Sequence, residues 1–249
     1  MYIHAYTKLK IMKLILKILQ SIDNLITYIF SNLSKEKIFI KDFFGNKKIT
    51  LVDVGANLGG YTDLLLKNTN LKEIHIFEPS KKCFEYLKKR FNDKKIYINN
   101  KALSNSNKIS TFYENEILSQ SSLHNKKNKF NSNLKNTATY KVKCLTLDRY
   151  CNDFSKKFTI DILKIDAEGE DLKVLQGAIK LIKSHKIKLI KIELLNSFDI
   201  YNNKSNINEI IFFLNKYNYY ITTIVKTKFI KEKLLMMDVY FSNKKNKNK

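Results

Sequence analysis

Glycine and proline are so scarce in this chain that their positions mark where the backbone has to turn. The 249 residues hold six Gly and one Pro. Five of the glycines (Gly55, Gly59, Gly60, Gly169, Gly177) and Pro79 fall in three short segments. Each segment follows an apolar run that reads as a strand: 49–54, 74–77 and 160–165. Each is followed by a helical pattern, over 61–67, 81–91 and 170–184. Gly reaches backbone conformations that other residues resist, and Pro locks φ. The chain therefore repeats one unit: strand, turn, helix. Strands that alternate with helices imply a mainly parallel sheet covered on both faces.

The remaining patterns extend that reading. A short helix is expected over 34–44, strands over 96–99, 109–113 and 140–145, and a helical turn over 147–151. A strand follows over 188–194, a helix over 207–217, and two closing strands over 219–225 and 234–241. The short Lys-rich gap between the last two suggests an antiparallel edge hairpin. Residues 115–138 are rich in Asn, Ser and Lys without a period, and read as one long loop, a frequent setting for lids. The expected fold is α/β and Rossmann-like: a doubly wound, mainly parallel seven-stranded sheet with an N-terminal helical extension. The expected parts are an extension over 1–48, a catalytic domain over 49–241 and a polar tail over 242–249. A hydrophobic content of 44% supports one domain of this size.

The formal charge of +23 invites a nucleic-acid or anionic-membrane partner. Among the 46 basic residues, however, only Arg90 and Arg149 are arginines. An excess of Lys, Asn and Ile is what AT-rich codons produce, and such lysines usually decorate solvated faces. An Arg-poor surface lacks the bidentate forks that read phosphates and guanine edges. Cys83, Cys144 and Cys151 show no metal-ligand spacing and read as structural thiols of a reducing compartment. No run reaches the ~18 apolar residues of a membrane span. Residues 9–30 place Ile11, Ile15, Ile18, Ile22, Leu25 and Ile29 at helical spacing, with Lys10, Lys13 and Lys17 off that stripe. No small-residue cleavage site follows, which argues against a signal peptide. Two readings stay open for this stretch: a helix docked on the domain or a second subunit, or a basic amphipathic helix on an anionic membrane.

Three motifs carry chemistry. In the first, the strand over 49–54, with Asp53 near its end, runs into Gly55, Ala56, Asn57 and Gly59 before a helix begins. Such a turn lets a ligand approach the backbone and the helix N-terminus. Asn57 stands where a dinucleotide fingerprint needs Gly, and no Walker lysine is present. An acid ahead of the turn suits a positively charged ligand better than a pyrophosphate. In the second, Glu78 ends a strand and precedes Pro79, placed to accept hydrogen bonds from ribose hydroxyls. In the third, DILKIDAEGE (161–170) brings Asp166 and Glu168 to another strand end. Glu193 closes a further strand on the same edge.

The runs VDVGANLGGYT, FEP and LKIDAEGEDLKVLQGA resemble the FkbM-type, Class I S-adenosylmethionine-dependent methyltransferases. The resemblance covers roughly residues 49–195. It implies S-adenosylmethionine as cofactor, with Asp53, Gly55, Ala56, Asn57, Gly59 and Glu78 around it and Ala102 and Leu103 beside the adenine. It implies O-methylation of a sugar or another hydroxyl-bearing small molecule, with surface-glycan synthesis as a setting. Asp166, Glu168 and Glu193 are the candidate catalytic carboxylates: to orient a hydroxyl, act as base or hold a divalent cation. No metal ligand set is assigned. Ser121, Ser122 and His124 are either substrate contacts or part of a solvated loop. With the basic N-terminal helix, the resemblance implies a cytoplasmic protein, peripheral on the inner membrane surface. Two alternatives remain: a nucleic-acid methyltransferase, and a non-catalytic glycan-binding or scaffolding protein on a degenerate methyltransferase fold. The missing proline-rich strand end speaks against adenine amino-methylation, and the intact Asp53, Gly55, Gly59 and Glu78 speak against degeneracy.

Overall fold

The computed structural model describes residues 35–124, 136–195, 207–230 and 233–243. The chain divides into two compact units, Met1–Phe43 and Phe44–Lys249. In the first, the described part is residues 35–43 of helix α1 (35–44), where the Phe39 and Phe43 rings lie one turn apart, tilted, with centroids at 5.8 Å. The amphipathic stretch expected over 9–30, the middle of the 115–138 loop and the tail from 244 lie outside the described residues.

The second unit begins with β1 (Ile49–Val54), α2 (Gly60–Asn68), β2 (Leu71–Phe77), α3 (Lys81–Arg90) and β3 (Ile96–Asn99). After an excursion through β4 (Ala102–Leu103), β5 (Lys108–Asn115) and β6 (Asn136–Leu145) come α4 (Leu147–Phe154) and β7 (Ile160–Ile165). The chain then runs through α5 (Asp171–Gln176), α6 (Ile179–Lys183), β8 (Ile187–Leu195), α7 (Ile207–Lys216), β9 (Tyr219–Ile230) and β10 (Lys233–Asn243). The large sheet has the order β3-β2-β1-β7-β8-β10-β9. It is parallel except for β10, which runs antiparallel to both β8 and β9. This is the Rossmann-like, doubly wound fold, with its hairpin at the edge. Every residue of β1 and β7 is buried, as a strand covered on both faces requires.

The strand order reverses between β1 and β7. In open α/β sheets, the crevice at such a switch point is where ligands bind. Two backbone hydrogen bonds knit the strand ends there: Asp166 N–H to Val54 O at 3.1 Å, and Gly55 N–H to Phe77 O at 2.9 Å.

Three expectations need adjusting. The strands over 109–113 and 140–145 run further than expected (β5 and β6) and form a second, three-stranded sheet of order β4-β6-β5, while the large sheet has its expected seven strands without them. Its own small core contains Ala102, Phe112, Val142 and Cys144. Second, the helix expected over 170–184 is two helices, broken at Gly177. A Cβ there would overlap the backbone carbonyl of Ser104. The Asp148 carboxylate accepts the Lys180 and Leu181 N–H groups at 2.8 and 3.0 Å and so caps α6 from another element. Third, Ser242 and Asn243 are not part of the polar tail; they belong to β10 and are buried. Among the described residues, no helix is long and apolar enough to cross a membrane.

Candidate active site

A cavity of about 520 Å³ opens along the carboxyl edge of the large sheet. Its floor comes from the ends of β1 (Val54, Gly55), β2 (Phe77, Glu78), β7 (Asp166) and β8 (Glu193). The small sheet roofs it with Ala102, Leu103 and Phe112. The segment after β5 adds Leu118, Ser121 and Leu123, and the β9–β10 hairpin adds Lys228 and Met236.

The first turn is built by backbone. Gly55 and Gly59 sit at φ 69° and 79°, and Asn57 joins them at 51°. Asn is among the few side chains that tolerate this region. A Cβ on Gly55 would occupy the same space as the Asp166 carbonyl oxygen, so only Gly lets the two loops meet. The Asn57 N–H then donates to Glu78 at 2.7 Å, and the Ser80 N–H donates to the other Glu78 oxygen at 2.8 Å. Burial pushes the Glu78 carboxyl up to about 7, against the pull of those two N–H groups.

Three of the residues implied as cofactor contacts do not line the cavity. Asp53 is fully buried beneath the turn. It accepts from Thr62 Oγ1 at 2.8 Å and pairs with Lys164 at 3.2 Å, so its charge is met from within the protein rather than offered to a ligand. Ala56 is buried, and Gly59 lies against Leu87 and Phe91 of the α3 region. Gly55, Asn57, Glu78, Ala102 and Leu103 all line the cavity.

The third motif is held by residues that the sequence reading passed over. The ammonium of Lys164 reaches Gly55 O at 2.8 Å, Asp53 at 3.2 Å and Asp166 at 3.6 Å. Burial alone would lower its pKa; the Asp53 and Asp166 carboxylates outweigh that and hold it above the ordinary lysine value. A Lys two residues before the strand-end acid, flanked by Leu163 and Ile165, was the signal. Beyond β7, Glu168 sits at φ 50° and Gly169 at 105°. A left-handed Glu is strained by about 1–3 kcal/mol and persists only where neighbours enforce it. The Asp171 carboxylate does so, accepting from Ala167 N–H at 2.9 Å and Gly169 N–H at 3.2 Å. The N-cap position of α5 is Glu170, with no side-chain cap hydrogen bond, and Asp166 and Glu168 line the cavity with Glu193. Burial pushes Glu193 up to about 7, helped by the Asp166 and Asp238 carboxylates. Among the described residues, no group of three or more His, Cys, Asp or Glu is arranged to hold a metal.

Ser121 and Ser122 are buried and line the cavity rather than a solvated loop. Their hydroxyls close the segment on itself, through Asn115 N–H and His124 N–H, each at 3.0 Å. His124 Nε2 meets Glu170 Oε1 at 2.8 Å, tying this segment to the β7–α5 turn. Burial alone would raise Glu170; the hydrogen bonds from His124, Lys173 and Ser104 outweigh it and hold the carboxyl at about 2.

This geometry coincides with a known family. Residues 53–221 match the methyltransferase FkbM domain. The chain belongs to the FkbM methyltransferase family. That membership makes it a Class I, S-adenosylmethionine-dependent methyltransferase domain. Among solved structures, it is similar to methyltransferase FkbM from Methylobacillus flagellatus KT, at 16% identity and a TM-score of 0.51. That match covers 78% of this chain but 43% of the other, so this chain spans less than half of that protein's length. An rRNA methylase from Streptococcus thermophilus matches at 10% identity and a TM-score of 0.47, covering 84% and 95% of the two chains. TrmK of M. capricolum, in complex with S-adenosyl-homocysteine, matches at 12% and 0.41, covering 84% and 68%. No curated protein matches the chain. Identities this low speak to the shared fold alone.

The FkbM cavity suits the cofactor of its class. Its volume lies in the range of about 300–1,000 Å³ typical of ligand sites. Ala102, Leu103 and Phe77 offer an apolar slot, and Glu78 stands at the tip of β2, where a doubly wound fold meets a ribose. The close approach that Gly55 permits leaves backbone rather than side chain at the cavity wall.

Proposed function

We propose that this FkbM domain methylates a hydroxyl oxygen of a small acceptor, a sugar or a similar polyol. S-adenosylmethionine, when bound, supplies an electrophilic methyl group on a sulfonium. Gly55, Asn57, Glu78, Ala102 and Leu103 hold the cofactor. Asp166 and Glu168 orient the acceptor, and Glu193 takes the proton of the hydroxyl as its oxygen bonds to the methyl carbon and the carbon–sulfur bond breaks. The observation that carries this reading is the placement of Glu193. It faces the same cavity as Asp166 and Glu168, with its carboxyl held near 7, where a general base works best at neutral pH.

The charge of the cavity favours a small acceptor over a polyanion. Five carboxylates line it (Glu78, Asp166, Glu168, Glu170, Glu193) against two lysines, Lys101 and Lys228, in a chain whose net charge is +23. A nucleic-acid backbone would be repelled where the reaction takes place.

The test is S-adenosylhomocysteine release by the full chain offered monosaccharides, uronic acids and nucleotide sugars in one arm, RNA and DNA in the other. Release that depends on a hydroxyl compound, and is lost in Glu193→Gln with cofactor binding intact, is the expected result. Release that depends on nucleic acid alone, or a fully active Glu193→Gln, would overturn it.

A further inference from the structure

The domain has a second large cavity, and its charge is the reverse of the first. It measures about 600 Å³ and is lined by Lys101, Lys108, Lys143 and Arg149, with Asp153 as its single carboxylate. Lys101, Lys108 and Lys143 have no acidic partner among the described residues. Arg149 meets Asp153 at only 3.5 Å, with both side chains more than 60% exposed. The chain has two arginines. Arg90 is occupied by Asp63, the Leu58 carbonyl and the Tyr86 hydroxyl, so Arg149 is the one that faces a cavity.

The fold assembles these cations from separate elements. Lys108 and Lys143 come from neighbouring strands of the small sheet, one residue out of register with each other. Arg149 comes from α4, and Lys101 from the turn between β3 and β4. Tyr150 and Phe154 of α4 form an aromatic wall beside them. The Tyr150 hydroxyl is engaged with His75 Nδ1 at 2.8 Å, so the residue offers the cavity its ring.

We propose that this cavity binds a phosphate-bearing ligand of nucleotide size, at a site separate from the cofactor and acceptor cavity. The guanidinium is a fork that matches phosphate oxygens, and the three lysines add point charges around it. The aromatic wall suits a planar ring on the same ligand. Lys101 lines both cavities, so the two sites adjoin at the β3–β4 turn without sharing their carboxylates.

Calorimetric titration of the full chain with pyrophosphate and, separately, uridine diphosphate tests this. A pyrimidine probe keeps the adenosine end of the first cavity out of the measurement. Saturable binding is expected, weakened about tenfold or more by Arg149→Gln with Lys143→Gln, as the loss of charge-assisted hydrogen bonds implies. S-adenosylhomocysteine binding should stay unchanged in the same variant, which also reports that it is folded. Tighter binding of the nucleotide than of pyrophosphate assigns a role to the aromatic wall; equal binding assigns the site to the phosphates alone. No saturable binding of either probe overturns the proposal. So does competition with S-adenosylhomocysteine, or equal weakening by Lys67→Gln with Lys89→Gln on remote faces, which would reduce the effect to net charge.

Discussion

The floor and the roof of the active-site cavity are built by opposite means. The floor is the edge of a seven-stranded sheet whose central strands, β1 and β7, are buried along their whole length. Its carboxylates project from strand ends joined to one another through backbone hydrogen bonds. The roof is a three-stranded sheet with a core of only a few buried residues. It is tied down by side chains. Glu114 of β5 lies 3.1 Å from Lys82 and 3.5 Å from the Ser80 hydroxyl, and the Tyr140 hydroxyl of β6, which donates to Glu114 at 2.6 Å, accepts the Lys81 N–H at 3.0 Å. His124 and Ser104 both reach Glu170. A floor held by backbone keeps chemistry in place, while a roof held by side chains can change its lining without disturbing that chemistry. The titration of the acids follows the same division. Glu78 and Glu193 on the floor are raised to about 7, whereas Glu170, which receives the roof, is lowered to about 2.

The comparison predicts that floor variants lose turnover or stability and roof variants lose little of either. The largest effect is expected at Glu193. Its Gln variant should lose about 10²–10⁴-fold in kcat, the usual contribution of a general base, with cofactor affinity preserved. In the wild type, kcat/KM should rise with pH and level off above about 7, because the base acts only when ionised. A flat profile from pH 5 to 9 would separate Glu193 from proton removal.

Next comes Lys164→Met, which leaves Asp53 buried without its cation. Breaking a buried ion pair costs about 3–5 kcal/mol, to be read from denaturant midpoints. Adding Asp53→Asn should recover much of the loss; failure to recover would mean that Lys164 acts through Gly55 O rather than through the pair. Gly55→Ala follows, at about 1–3 kcal/mol for a left-handed alanine, with more from the overlap at Asp166 and a matching loss of cofactor binding.

The smallest effect is expected at the roof. His124 is a third exposed, so His124→Ala should cost well under the ~1.5 kcal/mol of a typical hydrogen bond and shift KM a few-fold with kcat unchanged. A large fall in kcat would show that the roof shares in the chemistry. Stability should also divide with pH. The share from Glu170 is fully present above about 4.5 and is lost as pH falls toward 2. Glu78 and Glu193 act in the other direction: folded, they keep protons that the unfolded chain releases, so stability declines as pH rises from about 4.5 to 7.

The strands of the floor were legible, some with their bounds and others, such as β2 and β8, shorter than they are. Strands 49–54, 96–99 and 160–165 have the bounds expected of them, because an apolar run between turn residues has few other ways to bury itself. The glycine turns, Glu78, and the edge carrying Asp166, Glu168 and Glu193 followed from the same local pattern. The roof was not legible. The β5 and β6 strands were readable as strands, but pairing between segments some thirty residues apart leaves no local mark, so their separate sheet went unseen.

What the sequence determined by itself was the alternation, the turns and the acids that end the strands, because these follow from local sterics and hydrophobic period. Only the tertiary structure decided which charges are spent inside the protein and which face a ligand. Asp53 and Asp166 lie near the carboxyl ends of the adjacent strands β1 and β7, yet Lys164 lies 3.2 Å from the buried Asp53 and 3.6 Å from Asp166, which stays at the cavity wall. Such a difference depends on residues a hundred positions apart meeting in space. Burial and charge pairing are properties of that meeting rather than of either segment alone.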